Sequence, residues 1–171
     1  KNIYKLMEHM FKGESYLANY TYTQFFNKSQ NEYLFNANYF LQNWLNSTPQ
    51  FGFYFNTQEL GLSCYSPERF LLKKNNLIFT EPIKGTVQKN KDLTKQNNLQ
   101  TLWQNQKEIH EHTLVVDLLR NDLNTVCKPG SVHVQQPFFI KECPTLFHMQ
   151  STIFGSLKNN ISTADLFART L

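Results

Sequence analysis

No stretch of this sequence stays apolar over anything near the roughly 20 residues that a membrane-crossing helix needs, so no such span is expected. No CxxC pair occurs, and the three cysteines, Cys64, Cys127 and Cys143, are odd in number and irregular in spacing. That pattern excludes a disulfide framework and points to reduced, packed thiols in a cytoplasmic protein. Basic clusters are lacking as well. The 17 Lys and Arg against 13 Asp and Glu leave a formal charge of +4, but they are scattered, so nothing marks a nucleic-acid surface. The mild excess suits an anionic small substrate. Low-complexity tracts and short repeats are also absent. What is there is a globular composition, 40% hydrophobic and 15% aromatic over 171 residues, the size of one domain or part of one. The chain starts at Lys1 without Met and stops at Leu171 within a helical pattern, with no Gly or Pro exit. Both features make a piece of a longer natural chain the expectation.

Periodicity divides the chain into elements. Ser15 to Gln24 alternates Tyr16, Ala18, Tyr20 and Tyr22 against Leu17, Asn19, Thr21 and Thr23, as a strand does. Phe40, Leu41, Trp44 and Leu45 have helical spacing. Four short β-rich runs follow, FGFYFN, LGLSCY, RFLLKK and LIFTEP, with Asn75-Asn76 as the tight hairpin between the last two. Polar Gln88 to Asn98 reads as a loop. The longest helical pattern runs from Leu99 to Leu123. SVHVQQPFFIKEC and TLFHMQSTIFGSL read as two long strands joined by a turn at Pro144. A last helix starts at Ser162 or Thr163, with Asp165 in its first turn. Strand runs with interspersed helices predict an α+β domain on antiparallel sheet.

Several positions are suited to chemistry. In FTEPIKGTVQKN, Lys84 stands behind Pro82 and directly before Gly85 and Thr86. Glycine lets backbone N–H groups approach a carboxylate, and the hydroxyl adds a donor; a hairpin turn with a solvated lysine is the plainer account. Glu68 follows Ser66-Pro67, a pattern that also suits the first turn of a helix. Glu108 and Glu111, three apart on the long helix, share a face. Paired carboxylates suit a hard cation such as Mg²⁺, and a solvated helix face accounts for them as well. His110 and His112 flank Glu111, but HEHTL lacks the second histidine of HExxH, so zinc is not expected. Asp117, Arg120, Asn121 and Asp122 read as groups that cap and cross-link the helix end. His148 alternates with Phe147 and Met149 along a strand. No cysteine stands in a nucleophile elbow.

SPERFL, EPIKGT, KEIHEHTLVVDLLRNDL and LFHMQST occur in that order. The ordered set, from about Lys12 to Leu171, resembles the chorismate-binding enzymes, and among them the aminodeoxychorismate-forming branch that leads to para-aminobenzoate and folate. The resemblance implies a layered α/β/β/α fold of two packed, largely antiparallel sheets. Residues 1–171 would be the N-terminal portion of a single catalytic domain, with a glycine-rich segment and a further acidic metal ligand after Leu171. It implies that chorismate and ammonia give 4-amino-4-deoxychorismate, the ammonia coming from a glutamine amidotransferase subunit. Lys84, alanine in anthranilate-forming relatives, becomes the nucleophile for C2 of chorismate, and Glu68 the general acid for the C4 hydroxyl. An amine at the ordinary lysine pKa of about 10.4 is almost wholly protonated at pH 7, and hydroxide is a poor leaving group. Both roles therefore require a pocket closed to bulk water. Gly85, Thr86 and His148 become substrate-binding groups, Glu111 a direct Mg²⁺ ligand and Glu108 a ligand through water. Where the isochorismate-forming branch carries a water-activating lysine, this chain has Leu17, which argues against that branch. Two rivals stand: an anthranilate synthase component, against which Lys84 argues, and a chorismate-fold binding module without catalysis.

Overall fold

The computed structural model describes residues 2–15, 18, 20–23, 36–57 and 59–170. In chain order the elements are α1 (Asn2–Phe11), α2 (Ala37–Ser47), β1 (Phe51–Asn56), β2 (Gly61–Ser66), β3 (Arg69–Lys74), β4 (Leu77–Glu81), β5 (Ile83–Gln88), α3 (Lys95–Gln104), α4 (Gln106–Val126), β6 (His133–Glu142), β7 (Leu146–Ser156) and α5 (Thr163–Thr170). They form two antiparallel sheets, as the α+β expectation requires. β1 and β2 make one, from Phe51 opposite Ser66 to Asn56 opposite Gly61. Phe40 of α2 stacks on Tyr65 and packs on Tyr54 and Trp44, which holds α2 to that pair. The second sheet has the order β3-β4-β7-β5, with β6 also paired to β7.

β7 is the axis of the larger sheet. Its side chains alternate between faces. Phe147, Met149, Ser151 and Ile153 are buried on one face. Ile153 joins Ile78, Leu123, Val126, Cys127, Leu157 and Leu166 in one cluster, and Phe147 and Met149 join Leu102 in another. Both clusters lie between the sheet and helices α3, α4 and α5. At roughly 1.5–3 kcal/mol for each large apolar side chain fully buried, they are what hold the helices down. His148 and Gln150 take the opposite face.

β4 and β5 pair with the same edge of β7, one after the other. Thr80 lies opposite Ile153 and Ile83 opposite Gln150. Between them buried Pro82 keeps step, its carbonyl accepting the Ser151 N–H at 3.2 Å. Proline has no N–H of its own to pair, which is why the assigned strand is interrupted there.

Several expectations change. The long helix over 99–123 is two helices. Thr94 caps α3 through the Asn97 N–H, and Asn105, with φ −80° and ψ 87°, separates α3 from α4 while its side chain accepts the Glu108 N–H. An asparagine side chain offers the backbone a partner outside the helix, and here it ends one helix and starts the next. The loop before α3 is correspondingly shorter. Asn98, read as its end, is buried within α3 and donates to the carbonyls of Asn90, Leu93 and Thr94. Ser66-Pro67-Glu68 is the turn between β2 and β3, not a helix start, with the Ser66 hydroxyl accepting the Glu68 N–H at 3.3 Å. Asp117 and Arg120 do cross-link, at 2.8 Å, but within α4 and not at its end. α1 has no counterpart among the expected elements, although Ile3, Leu6, Met7 and Met10 recur at helical spacing. No strand forms at Ser15, Ala18 or residues 20–23; the rest of the strand expected over 15–24, Leu17 included, lies outside the described residues. All three cysteines are free, and no described helix is long and apolar enough to cross a membrane.

Glu142, at the end of β6, accepts hydrogen bonds from Lys89 and Lys95 and so ties the start of α3 to the β6–β7 hairpin. Those bonds, Lys95 first and Lys89 second, hold its carboxyl down to about 2. A carboxyl more acidic when folded contributes stability above its unfolded pKa and loses it as pH falls through the folded value. The difference in melting temperature between wild type and Glu142→Gln, at low salt, is therefore expected to shrink from about pH 5 down to about pH 2. A difference that stays constant over that range would contradict the ion-pair account.

Candidate active site

Lys84 lies on strand β5, not in a turn, and an extra residue decides where it points. Ile83 opposes Gln150 but Thr86 opposes His148, so Lys84 and Gly85 together stand opposite the single residue Met149. This is a β-bulge. Gly85 has a φ of +85°, a left-handed conformation that glycine alone adopts readily. A Cβ at Gly85 would lie 3.2 Å from Leu102 Cδ1 and 3.4 Å from the Cβ atoms of Glu108 and Met149. The missing side chain thus lets α3 and α4 close on the strand. In an unbroken strand Lys84 and Thr86 would share a face. The bulge parts them, Lys84 toward the helices and Thr86 away.

A cavity of ≈ 390 Å³ surrounds Lys84, lined by Ser66, Glu68, Arg69, Phe70, Thr80, Val115 and Leu119. It holds two cations in different states. Arg69 Nε donates to Glu81 Oε2 at 2.7 Å and its guanidinium lies 4.7 Å from the centre of the Phe51 ring. Half-buried Lys84 enters none of the ion pairs among the described residues. Glu68 is exposed at the rim, and its Oε1 accepts the Ile83 N–H at 2.9 Å, which fastens the acid to the strand that carries the lysine. The pocket expected to be closed to water is open on the Glu68 side.

Thr86 and His148 meet on the other face, Oγ1 to Nδ1 at 2.8 Å. Burial, and then the charge of Lys141, push the His148 pKa down. His148 lines a second cavity of ≈ 880 Å³ with Asn43, Tyr65, Lys141 and Thr145 among its walls. The sheet therefore brings Lys84 together with Glu68 and sets Thr86 and His148 apart from them.

Among the described residues no three His, Cys, Asp or Glu side chains gather as a metal centre. Glu108 is half-buried beside Gly85, and Glu111 has Lys107 Nζ at 3.7 Å. These two carboxylates still fit Mg²⁺ in kind. They are hard oxygen donors on neighbouring positions of one helix, and Mg²⁺ uses one or two carboxylates while keeping several waters.

His112, considered from sequence only as a zinc ligand, is fully buried. Its Nε2 lies 2.7 Å from Ser151 Oγ, its ring centre 5.3 Å from that of Phe138, and its Nδ1 is buried without a partner. Burial first, then the Lys84 charge, lower its pKa to about 4. The signal for it was the stripe Glu108, His112, Val115, Leu119, whose helical spacing marks the packed face of α4.

An antiparallel α+β domain with these ordered motifs around one sheet edge defines a class, and the chain belongs to it: residues 1–171 match the chorismate binding enzyme family. More particularly, the chain is 38% identical over 124 residues to the probable chloroplastic aminodeoxychorismate synthase of Oryza sativa subsp. japonica, covering 71% of this chain and 13% of that protein. It is 35% identical over 129 residues to aminodeoxychorismate synthase component 1 of Escherichia coli (strain K12), covering 74% of this chain and 28% of that one. Anthranilate synthase component I from Streptococcus pneumoniae TIGR4 shares the fold, with a TM-score of 0.68 at 24% identity over 80% of this chain and 30% of its own. The chain thus spans a minor part of the length of the curated relatives it matches.

Gly85→Ala adds a tight approach to Leu102, 3.2 Å to its Cδ1, to left-handed strain, whereas Gly130→Ala, at φ +73° with nothing within 4 Å, adds strain alone. Gly130→Ala is expected to cost about 1–3 kcal/mol and Gly85→Ala clearly more, by urea denaturation. Equal losses would mean that the close approach of α3 and α4 is not what requires glycine at the bulge.

Proposed function

We propose that residues 1–171 are the N-terminal portion of the catalytic domain of an aminodeoxychorismate synthase component 1, which converts chorismate and ammonia to 4-amino-4-deoxychorismate. The observation that carries this reading is a lysine without an acidic partner among the described residues, on the wall of the cavity that Glu68 also lines. A lysine locked in an ion pair would have to break it before acting as a nucleophile; Lys84 does not.

The chemistry follows from the two side chains. Lys84 Nζ, as the free amine, adds to C2 of chorismate, both conjugated ring double bonds shift, and the C4–O bond breaks with a proton from Glu68, so that water leaves. Ammonia then adds at C4, both double bonds shift back and the C2–N bond to Lys84 breaks. The net exchange is hydroxyl for amino group, with water as the other product. β5 ends the strand order of its sheet. Lys84 and Glu68 offer a ligand the cavity on one face of this strand, and the Thr86–His148 pair, on the other face, is the further substrate-binding group of this reading. Mg²⁺ held by Glu111, and by Glu108 through water, would neutralise the ring carboxylate of the substrate. The "component 1" of the relatives' names supports a partner component, which we read as a glutamine amidotransferase that supplies ammonia. Three free thiols support a reducing, cytoplasmic setting.

The test is product mass. The full-length protein with chorismate, an ammonium salt and Mg²⁺ is expected to yield 4-amino-4-deoxychorismate. Lys84→Ala and Glu68→Gln are each expected to lose about 100-fold or more in rate. Anthranilate as the product would favour an anthranilate synthase. Chorismate binding without turnover would favour a binding module. A Lys84→Ala variant with normal output would end the covalent route.

A further inference from the structure

His112 is a buried polar side chain that the chemistry above leaves unused, and its surroundings specify which ring nitrogen carries the proton. Ser151 Oγ accepts the Phe138 N–H at 3.0 Å and lies 2.7 Å from His112 Nε2. A hydroxyl has one proton to donate and two lone pairs to accept with. Suppose Nε2 holds the proton and donates it to Ser151. The serine proton then has no acceptor among the described residues, and Nδ1 is an unused lone pair, so two buried groups are unmatched. Suppose instead that Ser151 donates to Nε2. Every group is then matched except one, the Nδ1–H. Each unmatched buried polar group costs stability, so the second arrangement wins.

That spare donor is bracketed by the site. One turn back along α4, Glu108 backs onto Gly85; one turn forward, Val115 lines the Lys84 cavity. Ser151, which holds the ring, donates its own N–H to the carbonyl of Pro82, two residues before Lys84. Nδ1 has no partner among the described residues, Lys84 included. An oxygen atom of a carboxylate or hydroxyl can accept its proton.

We propose that His112 is a further ligand-binding residue: Ser151 holds it as the Nδ1–H tautomer, and that proton is donated to an oxygen of the anionic ligand that enters the Lys84 cavity. The identity of the ligand as chorismate rests on the functional reading above; the tautomer does not.

The full-length protein labelled with ¹⁵N-histidine tests both parts by long-range ¹H–¹⁵N spectra at about pH 7, the His112 signals being assigned by their loss in His112→Gln. The expected result is the Nδ1–H tautomer, with its resonance moving as chorismate is added. The Nε2–H tautomer, or an Nδ1 signal unmoved at saturating chorismate, overturns the proposal. Two substitutions add a functional arm. A Gln amide overlays Nε2 and keeps a partner for Ser151, while an Asn amide overlays Nδ1 and keeps the donor. His112→Gln is expected to weaken chorismate binding about tenfold or more, and His112→Asn to stay within about threefold of wild type, with melting curves confirming that both variants are folded. Unchanged affinity in a folded His112→Gln would make the ring a packing residue only and end the proposal. A wild type that binds chorismate with the Nδ1 shift but makes no 4-amino-4-deoxychorismate would remove the functional reading and leave this one standing. Product formation with Nδ1 unmoved would do the reverse.

Discussion

One extra residue in β5, set against Met149 of β7, governs the arrangement of the whole site. Without it the pairing that begins at Leu77 and Ser156 would continue unchanged past Ile83, and Lys84 would lie on the same face as Thr86. With it, Lys84 faces the helices, and Gly85 offers bare backbone to Leu102 and Glu108. A second irregularity sits on the other side of β7, where β6 takes left-handed Gln136 and Phe138 between its pairings with Thr152 and Gln150. That bend delivers the Phe138 N–H to Ser151. The middle of β7 is thus flanked by two bulges, each re-aiming a residue toward α4. Bulges interrupt ladder hydrogen bonds and are kept where they serve to direct a side chain.

The electrostatics of the Lys84 cavity follow from which charges have been matched. Arg69 is satisfied by Glu81 and by the Phe51 ring. Glu68 is held from behind by a backbone N–H of β5, so its position is linked to that of the lysine without an ion pair between them. His112, buried and neutral at pH 7, adds no charge. The result is a lysine whose neighbours are mostly apolar or already engaged, with an acid at the open rim. Such an arrangement leaves the nitrogen available to a ligand.

The fold does not choose the reaction. An anthranilate synthase component and this chain share it at a TM-score of 0.68, so the fold alone assigns no chemistry, and individual side chains have to. In the reading proposed above, residue 84 carries one of those side chains. The bulge directs the side chain at that position into the cavity that Glu68 also lines.

Much of this was legible in the chain. The alternation of TLFHMQSTIFGSL specifies a strand with one apolar face, the Asn75-Asn76 pair specifies the hairpin between β3 and β4, and the four ordered motifs specify the family. Local chemistry is enough for these, because period, turn preference and motif order are all properties of contiguous residues. The facing of Lys84 was not legible, because a period of two assumes an unbroken ladder, and whether a residue bulges depends on the register of β5 against β7, some 60 positions away. The break at Asn105 competes with a helical pattern on both sides and is won by a side-chain cap. His112 shows the limit most sharply. Its sequence neighbours suggest a metal ligand, while its role follows from Ser151 and Phe138, which only the packed sheet brings to it. Sequence determined which elements form and which residues they carry; the pairing of distant strands decided which of those residues meet, because register is a property of two segments and is written in neither alone.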